Sequence, residues 1–435
     1  MKKILSIIFF IILIPVSLYA EVKEYTLKNG LKVIVVEDHK APLATFQIWY
    51  RVGSRNELAG KSGMSHLLEH MMFKGTPKYG SKAFSKIVQK NGGIDNAFTT
   101  KDYTMYYQSL ASDRINLSIE LEADRMNNLI MDPKEVIAER SVVMEERRMR
   151  YEDDPQTSLY EEVVATAFKS HPYHWPVIGW MSDLSSIERD DLYSHYRAYY
   201  SPDNAVIVVS GDIAADEIIK KIKALFENIP PVSGRKNVLS KEAEQQGEKR
   251  VALKKEAELP YIIAAYHTPS FPSEDSYALE VLGMILSGGK SSRLYKSLVY
   301  EKKLALYAYA DYNGFNKDPY LFLFGATSSP GRDVKDLENA LYGEIDRIKN
   351  ELPLEKEVQK AKNQIEASFI MGLDSIYFQA EILGMFEMIG DWKMKEQYLE
   401  GIRKVMPDDV SRVAKKYLNE ENRTIGILIP MKNSK

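Results

Sequence analysis

The chain has 435 residues, 45% of them apolar, and no cysteine. That length gives core enough for two or more domains, and the missing thiols exclude disulfides, thiolate metal ligands and a cysteine nucleophile. Lys plus Arg (58) nearly balance Asp plus Glu (61), for a net charge of -3, so nothing electrostatic points to nucleic acid or an anionic membrane surface as a partner.

Residues 1–20 read as a secretory signal peptide: Lys2 and Lys3, an apolar run from Ile4 to Val16, then Ser17-Leu18-Tyr19-Ala20 before Glu21. Leu18 stands where a cleavage site usually has a small residue, so an uncleaved amino-terminal anchor is the alternative and the only route to a membrane. Export, with the periplasm as destination, is the expectation in both cases.

From there the chain runs through one series of elements twice. In the first pass a hairpin is predicted over Tyr25 to Val36 around Asn29-Gly30, then a strand at Ala44 to Val52 and helices at Gly63 to Phe73 and Lys82 to Asn91. Strands Asp95 to Thr100 and Thr104 to Leu110 follow, then helices Arg114 to Asn128 and Pro133 to Glu152, and a closing strand Asn204 to Ser210. The second pass offers a strand at Tyr261 to His267, helices at Ser276 to Ser287 and Ser292 to Lys302, and strands Leu306 to Tyr312 and Tyr320 to Thr327. Helices Asp333 to Asn350 and Leu354 to Ile376 and a strand Thr424 to Pro430 complete it. Strands in hairpins and helices in runs predict an α+β chain of two homologous domains, each a mainly antiparallel sheet backed by helices. The expected domains are 21–227, carrying the chemistry, and 251–435, without a metal site, joined by the polar stretch 228–250.

The helix Gly63 to Phe73 contains His66-Leu67-Leu68-Glu69-His70. At about 100° per residue, positions 66, 69 and 70 share one face, and Leu67, Leu68, Met71 and Met72 point elsewhere to bury the helix. With only seven histidines in the chain, chance occurrence of this pattern is on the order of one in a hundred. Two imidazoles one turn apart can grip one ion, but a catalytic zinc takes three protein ligands. The helix opening at Pro133 offers Glu139 and Glu146, two turns apart on one face with Val142, Val143 and Met149, whereas Glu145, Arg147 and Arg148 are expected to face solvent.

These residues resemble the insulinase and pitrilysin family of inverted-motif zinc peptidases, which also includes the mitochondrial processing peptidase, and in particular its short bacterial members of the zinc-binding type. The resemblance runs through HLLEHMMFKGT (66–76), NAFT (96–99), HPYHWPVIG (171–179), YSPDNAVIVVSGD (200–212) and GGKSSRLYKSL (288–298). It implies one zinc ion per chain held by His66, His70 and Glu146, with Glu69 as catalytic base and Glu139 supporting a ligand histidine. It also implies that Asn96, Ala97, Phe98 and Thr99 form an edge strand on which an extended peptide or unfolded segment adds as a further strand. His171 and His174, beside Pro172 and Pro176, are read as a loop without metal, and His39, His195 and His267 receive no role.

One stretch departs from the family. Active members carry an Arg and a Tyr seven residues apart in the second half, and these bind the substrate carbonyl; here Val299 and Leu306 stand in those places, with Arg293 and Tyr307 nearby but out of register. The resemblance therefore implies a homologous Arg/Tyr-bearing subunit in a heterodimer, a homodimer being the other assembly. The competing functions are a non-catalytic or weakly catalytic, chaperone-like scaffold and a transition-metal binding module. An intact ligand set argues against the first and Glu69 against the second.

Overall fold

The computed structural model describes residues 21–235 and 238–431; the apolar segment 1–20 lies outside them. In the first half the strands are β1 (Val22–Thr26), β2 (Lys32–Glu37), β3 (Leu43–Tyr50), β4 (Ile94–Thr99), β5 (Thr104–Ala111) and β6 (Ala205–Gly211). Its helices are α1 (Met64–Met71), α2 (Ala83–Lys90), α3 (Asn116–Asn128), α4 (Pro133–Arg147), α5 (Pro155–Ala167), α6 (Met181–Ser186), α7 (Arg189–Tyr199) and α8 (Ala215–Phe226). The second half has strands β7 (Lys249–Glu256), β8 (Tyr261–Thr268), β9 (Ala305–Tyr312), β10 (Tyr320–Ser328) and β11 (Arg423–Met431). Its helices are α9 (Glu274–Ser287), α10 (Val334–Asn350), α11 (Glu355–Gly372), α12 (Ile376–Ile389), α13 (Met394–Lys404) and α14 (Pro407–Tyr417). The predicted helix Ser292 to Lys302 is a π-helical turn over Tyr295–Glu301. No single helix among the described residues is long and apolar enough to cross a membrane.

Two sheets result, with strand orders β1-β2-β6-β3-β5-β4 and β7-β11-β8-β10-β9. Each has one parallel pair, β2 with β6 and β7 with β11, and is otherwise antiparallel. Removing β1 makes the two orders identical strand for strand, so the repeat legible in the sequence is a repeat of topology. The hairpin joining β1 and β2 turns at Gly30, whose φ of 88° suits glycine, and is pinned by Asn29 Nδ2 donating to the carbonyls of Phe226 (2.7 Å) and Ile229 (3.0 Å).

Helices α5 to α8 and α12 to α14 were not among the predicted elements, and two of them change the picture of separate halves. Helix α5 belongs to the first half by sequence yet packs Leu159, Val163, Val164 and Ala167 on the second sheet, against Ile263, Ala265, Leu321 and Leu428. Helix α12 does the converse, burying Ile382, Leu383 and Phe386 with Trp49, Ile34, Val206 and Val208 of the first sheet. Both crossings depend on a glycine. A Cβ on Gly384 of α12 would lie 2.2 Å from the Trp49 ring, and one on Gly426 of β11 would lie 2.3 Å from Val163. The described residues of 228–250 hold no helix, but β7 begins among them at Lys249, and Glu242 accepts from the backbone N–H groups of Lys169, Ser170 and His171 at 2.7 to 2.9 Å.

Candidate metal centre

Helix α1 is built into the first core before it carries any chemistry. Leu67, Leu68 and Met71 are fully buried with Val33, Val35, Phe46 and Ile207, each side chain stabilising by about 2 kcal/mol. The helix starts at Gly63, where φ is 92° and a Cβ would stand 2.5 Å from the Ile178 carbonyl oxygen. The buried Glu57 carboxylate accepts from the N–H groups of Gly63 (2.7 Å) and Ser65 (2.6 Å), satisfying two of the helix's orphan donors. Ser65 Oγ meets the buried His195 Nε2 at 3.0 Å, so His195, given no role from sequence, supports this helix.

On the free face of α1 the predicted ligands converge. One atom each from His66, His70 and Glu146 lie within 4.8 Å of one another, the one such group of three among the described residues. Glu146 Oε2 is 3.9 Å from His66 Nε2 and 3.5 Å from His70 Nε2, longer than the ~2.9 Å of a good N–H···O bond and close to the roughly 3.4 Å between ligands of a tetrahedral site with ~2.1 Å bonds. His66 Nδ1 is buried without a hydrogen-bond partner. Two imidazoles and a carboxylate, with no thiolate, form a donor set that fits zinc.

Of the two histidines, it is His70 that Glu139 contacts. Its Nδ1–H donates to Glu139 Oε1 at 2.9 Å, leaving Nε2 turned toward Glu146, and Glu139 Oε2 is ion-paired with Lys74. Burial works against charge on His70, but the hydrogen bond to Glu139 and the negative charge of the nearby Glu146 carboxylate outweigh it and lift its pKa to about 9. Burial and the neighbouring His70 push His66 down to about 4. Glu69, on the same helix, is outside the group of three: burial raises its pKa, opposed by a 2.6 Å hydrogen bond from Thr99 Oγ1 to Oε2.

Helix α4 places Glu139 and Glu146 as the spacing predicts, but its surroundings differ from expectation. Val143 is buried, whereas Val142 and Met149 are 50% and 65% exposed: the Glu146 face is partly open to solvent and is no closed apolar stripe. Arg147, expected in solvent, is buried, its guanidinium donating to both oxygens of Glu161 on α5 at 2.9 and 3.1 Å and lying over Trp180. Helix α5, unseen in the sequence, is what draws it in. Glu145 does face solvent, paired with Arg148 at 2.7 Å.

Strand β4 is the sheet edge, as the resemblance implied. Asn96 and Ala97 lie along it; Phe98 packs edge-on against Trp49 at 6.3 Å, and Thr99 holds Glu69. His171 and His174 share no metal cluster: His171 Nε2 binds Asp318 at 3.0 Å, and His174 Nδ1 donates to the His171 carbonyl at 2.9 Å. In the second half Val299 is half-buried against the core, and Arg293 is held by both oxygens of Glu357 at 3.1 and 2.9 Å. Leu306 is the unpaired residue of a bulge between the pairs Ala305–Ser328 and Tyr307–Thr327, which leaves Leu306 and Tyr307 both on the surface, 55% and 60% exposed. The slip that Tyr307 requires is thus present in the strand, while no arginine accompanies it.

Lys74, the contact of Thr99 with Glu69, and Arg150, whose Nε lies 3.1 Å from Glu146 Oε1, are features of the site that the sequence did not show. Lys74 lies just past the end of α1 and reaches Glu139, and Arg150 lies on the π-helical turn that follows α4 and reaches back to Glu146.

The repeated sheet topology and the two-histidine helix met by a distant glutamate define a chain built as the inverted-motif metallopeptidases are. Residues 32–179 match the family model described as Insulinase (Peptidase family M16) and residues 186–365 the one described as Peptidase M16 inactive domain. The chain belongs to the insulinase family, M16. It is 33% identical over 409 residues to the zinc protease PqqE of Helicobacter pylori, covering 93% of this chain and 92% of that one. The crystal structure of a protease from Helicobacter pylori superposes with a TM-score of 0.91 at 32% identity, over 95% of this chain and all of that one. That of a peptidase M16 inactive domain from Pseudomonas fluorescens does so at 0.83 and 18% identity, over 95% and 99%, and is a likeness of fold.

Proposed function

We infer that the chain is an exported zinc metalloendopeptidase that hydrolyses extended peptides or unfolded segments, works in the periplasm and reaches full activity with a homologous subunit. The observation that carries this reading is the convergence of His66, His70 and Glu146 with Glu69 beside them on the same helix. Zinc, when bound there, supplies a Lewis acid that polarises a carbonyl and makes water more acidic. Glu69 takes the proton of the attacking water and returns it to the leaving amine; Thr99 occupies Oε2 and leaves Oε1 for that transfer. Glu139 fixes the His70 tautomer and ring direction. The edge of β4 offers unpaired backbone groups that hold an extended chain with little demand on its sequence.

The missing arginine supports the partner. With Val299 half-buried and Arg293 committed to Glu357, the second half of this chain presents no cation where the family places one, and a homologue carrying the Arg/Tyr pair would supply it across an interface. The test is to purify the mature protein, measure zinc per chain, and map its cuts in a peptide mixture alone and with Arg/Tyr-bearing homologues. One zinc per chain, weak cutting alone and a hundredfold or greater gain with the homologue are expected. A pure homo-oligomer with full activity, unchanged by the homologue, would remove the partner from the reading. Failure to bind zinc would return the chain to a scaffold role.

A further inference from the structure

Arg150 is a cation that touches the candidate ligand set and has donors to spare. It lies on the π-helical turn Arg148–Glu152 that continues α4, and its Nε reaches the outer oxygen of Glu146, Oε1, at 3.1 Å while the inner oxygen faces the two histidines. That contact is an ion pair, and its guanidinium makes no hydrogen bond among the described residues. The side chain is 71% exposed although the carboxylate it touches is mostly buried. Its neighbour Arg148 forms an ordinary surface pair with Glu145, and Arg147 is spent on Glu161. Arg150 therefore stands at the open rim of the site with both terminal nitrogens unused, and its charge acts on His66, Glu69 and Glu146 alike.

A peptide carbonyl under attack gains negative charge on oxygen, and a fixed guanidinium is the side chain best suited to meet it. Anchoring Nε to Glu146 keeps the planar fork pointed and reduces the rotamer freedom lost on binding. The second half of this chain brings no arginine of its own to that task. We propose that Arg150 donates to the scissile carbonyl of the bound peptide, giving this chain, in cis, a substrate contact that supports its own turnover and that the partner's arginine would supplement. The proposal rests on the metallopeptidase reading above, and its experiment separates the two.

Zinc-loaded Glu69→Gln protein, which holds substrate without cutting it, is titrated with a fluorescent phosphinic peptide whose tetrahedral oxygens mimic the attacked carbonyl, and with the parent peptide. The titrations are repeated with Arg150→Ala and Arg150→Lys added, and zinc affinity is measured by chelator competition. The expected result is a tenfold or greater loss of phosphinic-peptide affinity in Arg150→Ala, a smaller loss for the parent peptide, partial rescue by Lys, and zinc affinity within about threefold of the Glu69→Gln parent. Turnover of the otherwise native Arg150→Ala chain should fall in kcat more than in KM. Unchanged phosphinic-peptide affinity overturns the proposal, as does a loss that merely tracks weakened zinc binding, which would make Arg150 a positioning residue for Glu146. If the Glu69→Gln protein binds neither zinc nor either peptide, it is the metallopeptidase reading that falls, and this proposal with it.

Discussion

Lys74, Glu139 and His70 form a chain of contacts in which each member fixes the next. Lys74 Nζ pairs with Glu139 Oε2 and also lies 3.6 Å from Glu135, and Glu139 Oε1 accepts the hydrogen bond from His70 Nδ1–H. Lys74→Met should leave Glu139 half-satisfied and free to turn away, weakening zinc binding by about tenfold or more, as loss of a ligand's hydrogen-bond partner does; Lys74→Arg should restore most of it. Chelator competition reads the difference, and an unchanged zinc affinity in Lys74→Met would show that Glu139 needs no cation. At the third ligand, Glu146→Ala should lose zinc and activity while Glu145→Ala, whose carboxylate is paired with Arg148 in solvent, should lose neither, a contrast that zinc content per chain decides. The reverse result would move the ligand by one residue. Glu69→Gln should keep its zinc and lose turnover by about a hundredfold or more; hydrolysis near the native rate would unseat it as the base. At this scale the sequence was most legible where one helix carries the pattern, because spacing of three and four residues fixes a shared face. It was least legible where the partner arrives from another element: Thr99 reaches Glu69 from β4, and Arg147 is buried by a helix that composition did not reveal.

The supports of α1 show how an element is positioned by groups far from it in sequence. His195 of α7 is enclosed against Ser65, and burial lowers its pKa to about 4. Its folded-state pKa therefore lies below the unfolded value of about 6.5, so the unfolded chain takes up a proton first and stability is lost as pH falls through that window. Between pH 6.5 and 5 the loss attributable to this residue is about 2 kcal/mol. Urea unfolding of zinc-free protein should show it as a slope that is shallower in His195→Gln, and equal slopes in the two proteins would refute it. The strands and helices flanking the motif were predicted to within a few residues because their apolar periodicity is strong. The bulge at Leu306 was not, since a one-residue slip leaves the period of two intact on either side. Helices α5 and α12 escaped prediction for a related reason: each has apolar residues on more than one face, so neither stands out as an amphipathic stripe.

At the scale of the molecule the duplication is written in the order of elements, and the exchange of α5 and α12 is not, because an apolar helix face does not say which sheet will cover it. The consequence is mechanical. Leu159, Val163, Val164 and Ala167 of α5 are almost fully removed from water by the second sheet, and Ile382, Leu383 and Phe386 of α12 by the first. At about 2 kcal/mol for each large side chain, either crossing contributes roughly 6 kcal/mol, a sum comparable to the whole stability of an ordinary domain at about 5–15 kcal/mol. Polar contacts tie the same seam: Arg51 donates to Glu387 at 2.7 Å, Ser210 Oγ to Gln379 at 3.1 Å, and Lys249 Nζ to the carbonyls of Thr166 and Ala167 at 3.0 and 2.8 Å. The two halves therefore share one stability, and helix α1, which lies wholly in the first, should depend on the second. A protease site inserted after Leu239, which is exposed between the two halves, allows the covalent link to be cut in the folded protein. The cut halves should co-elute on gel filtration and unfold in one transition with zinc still bound, whereas 21–227 and 251–435 expressed separately should be insoluble or fail to bind zinc. Gly384→Ala, which drives a methyl group into the Trp49 ring, should lower the stability of the intact chain by about 1–3 kcal/mol and make the cut halves separate more readily. Independent folding of the first half alone, with native zinc affinity and a cooperative transition, would show that α5 finds another place to bury its face and that the exchange does not bind the halves together.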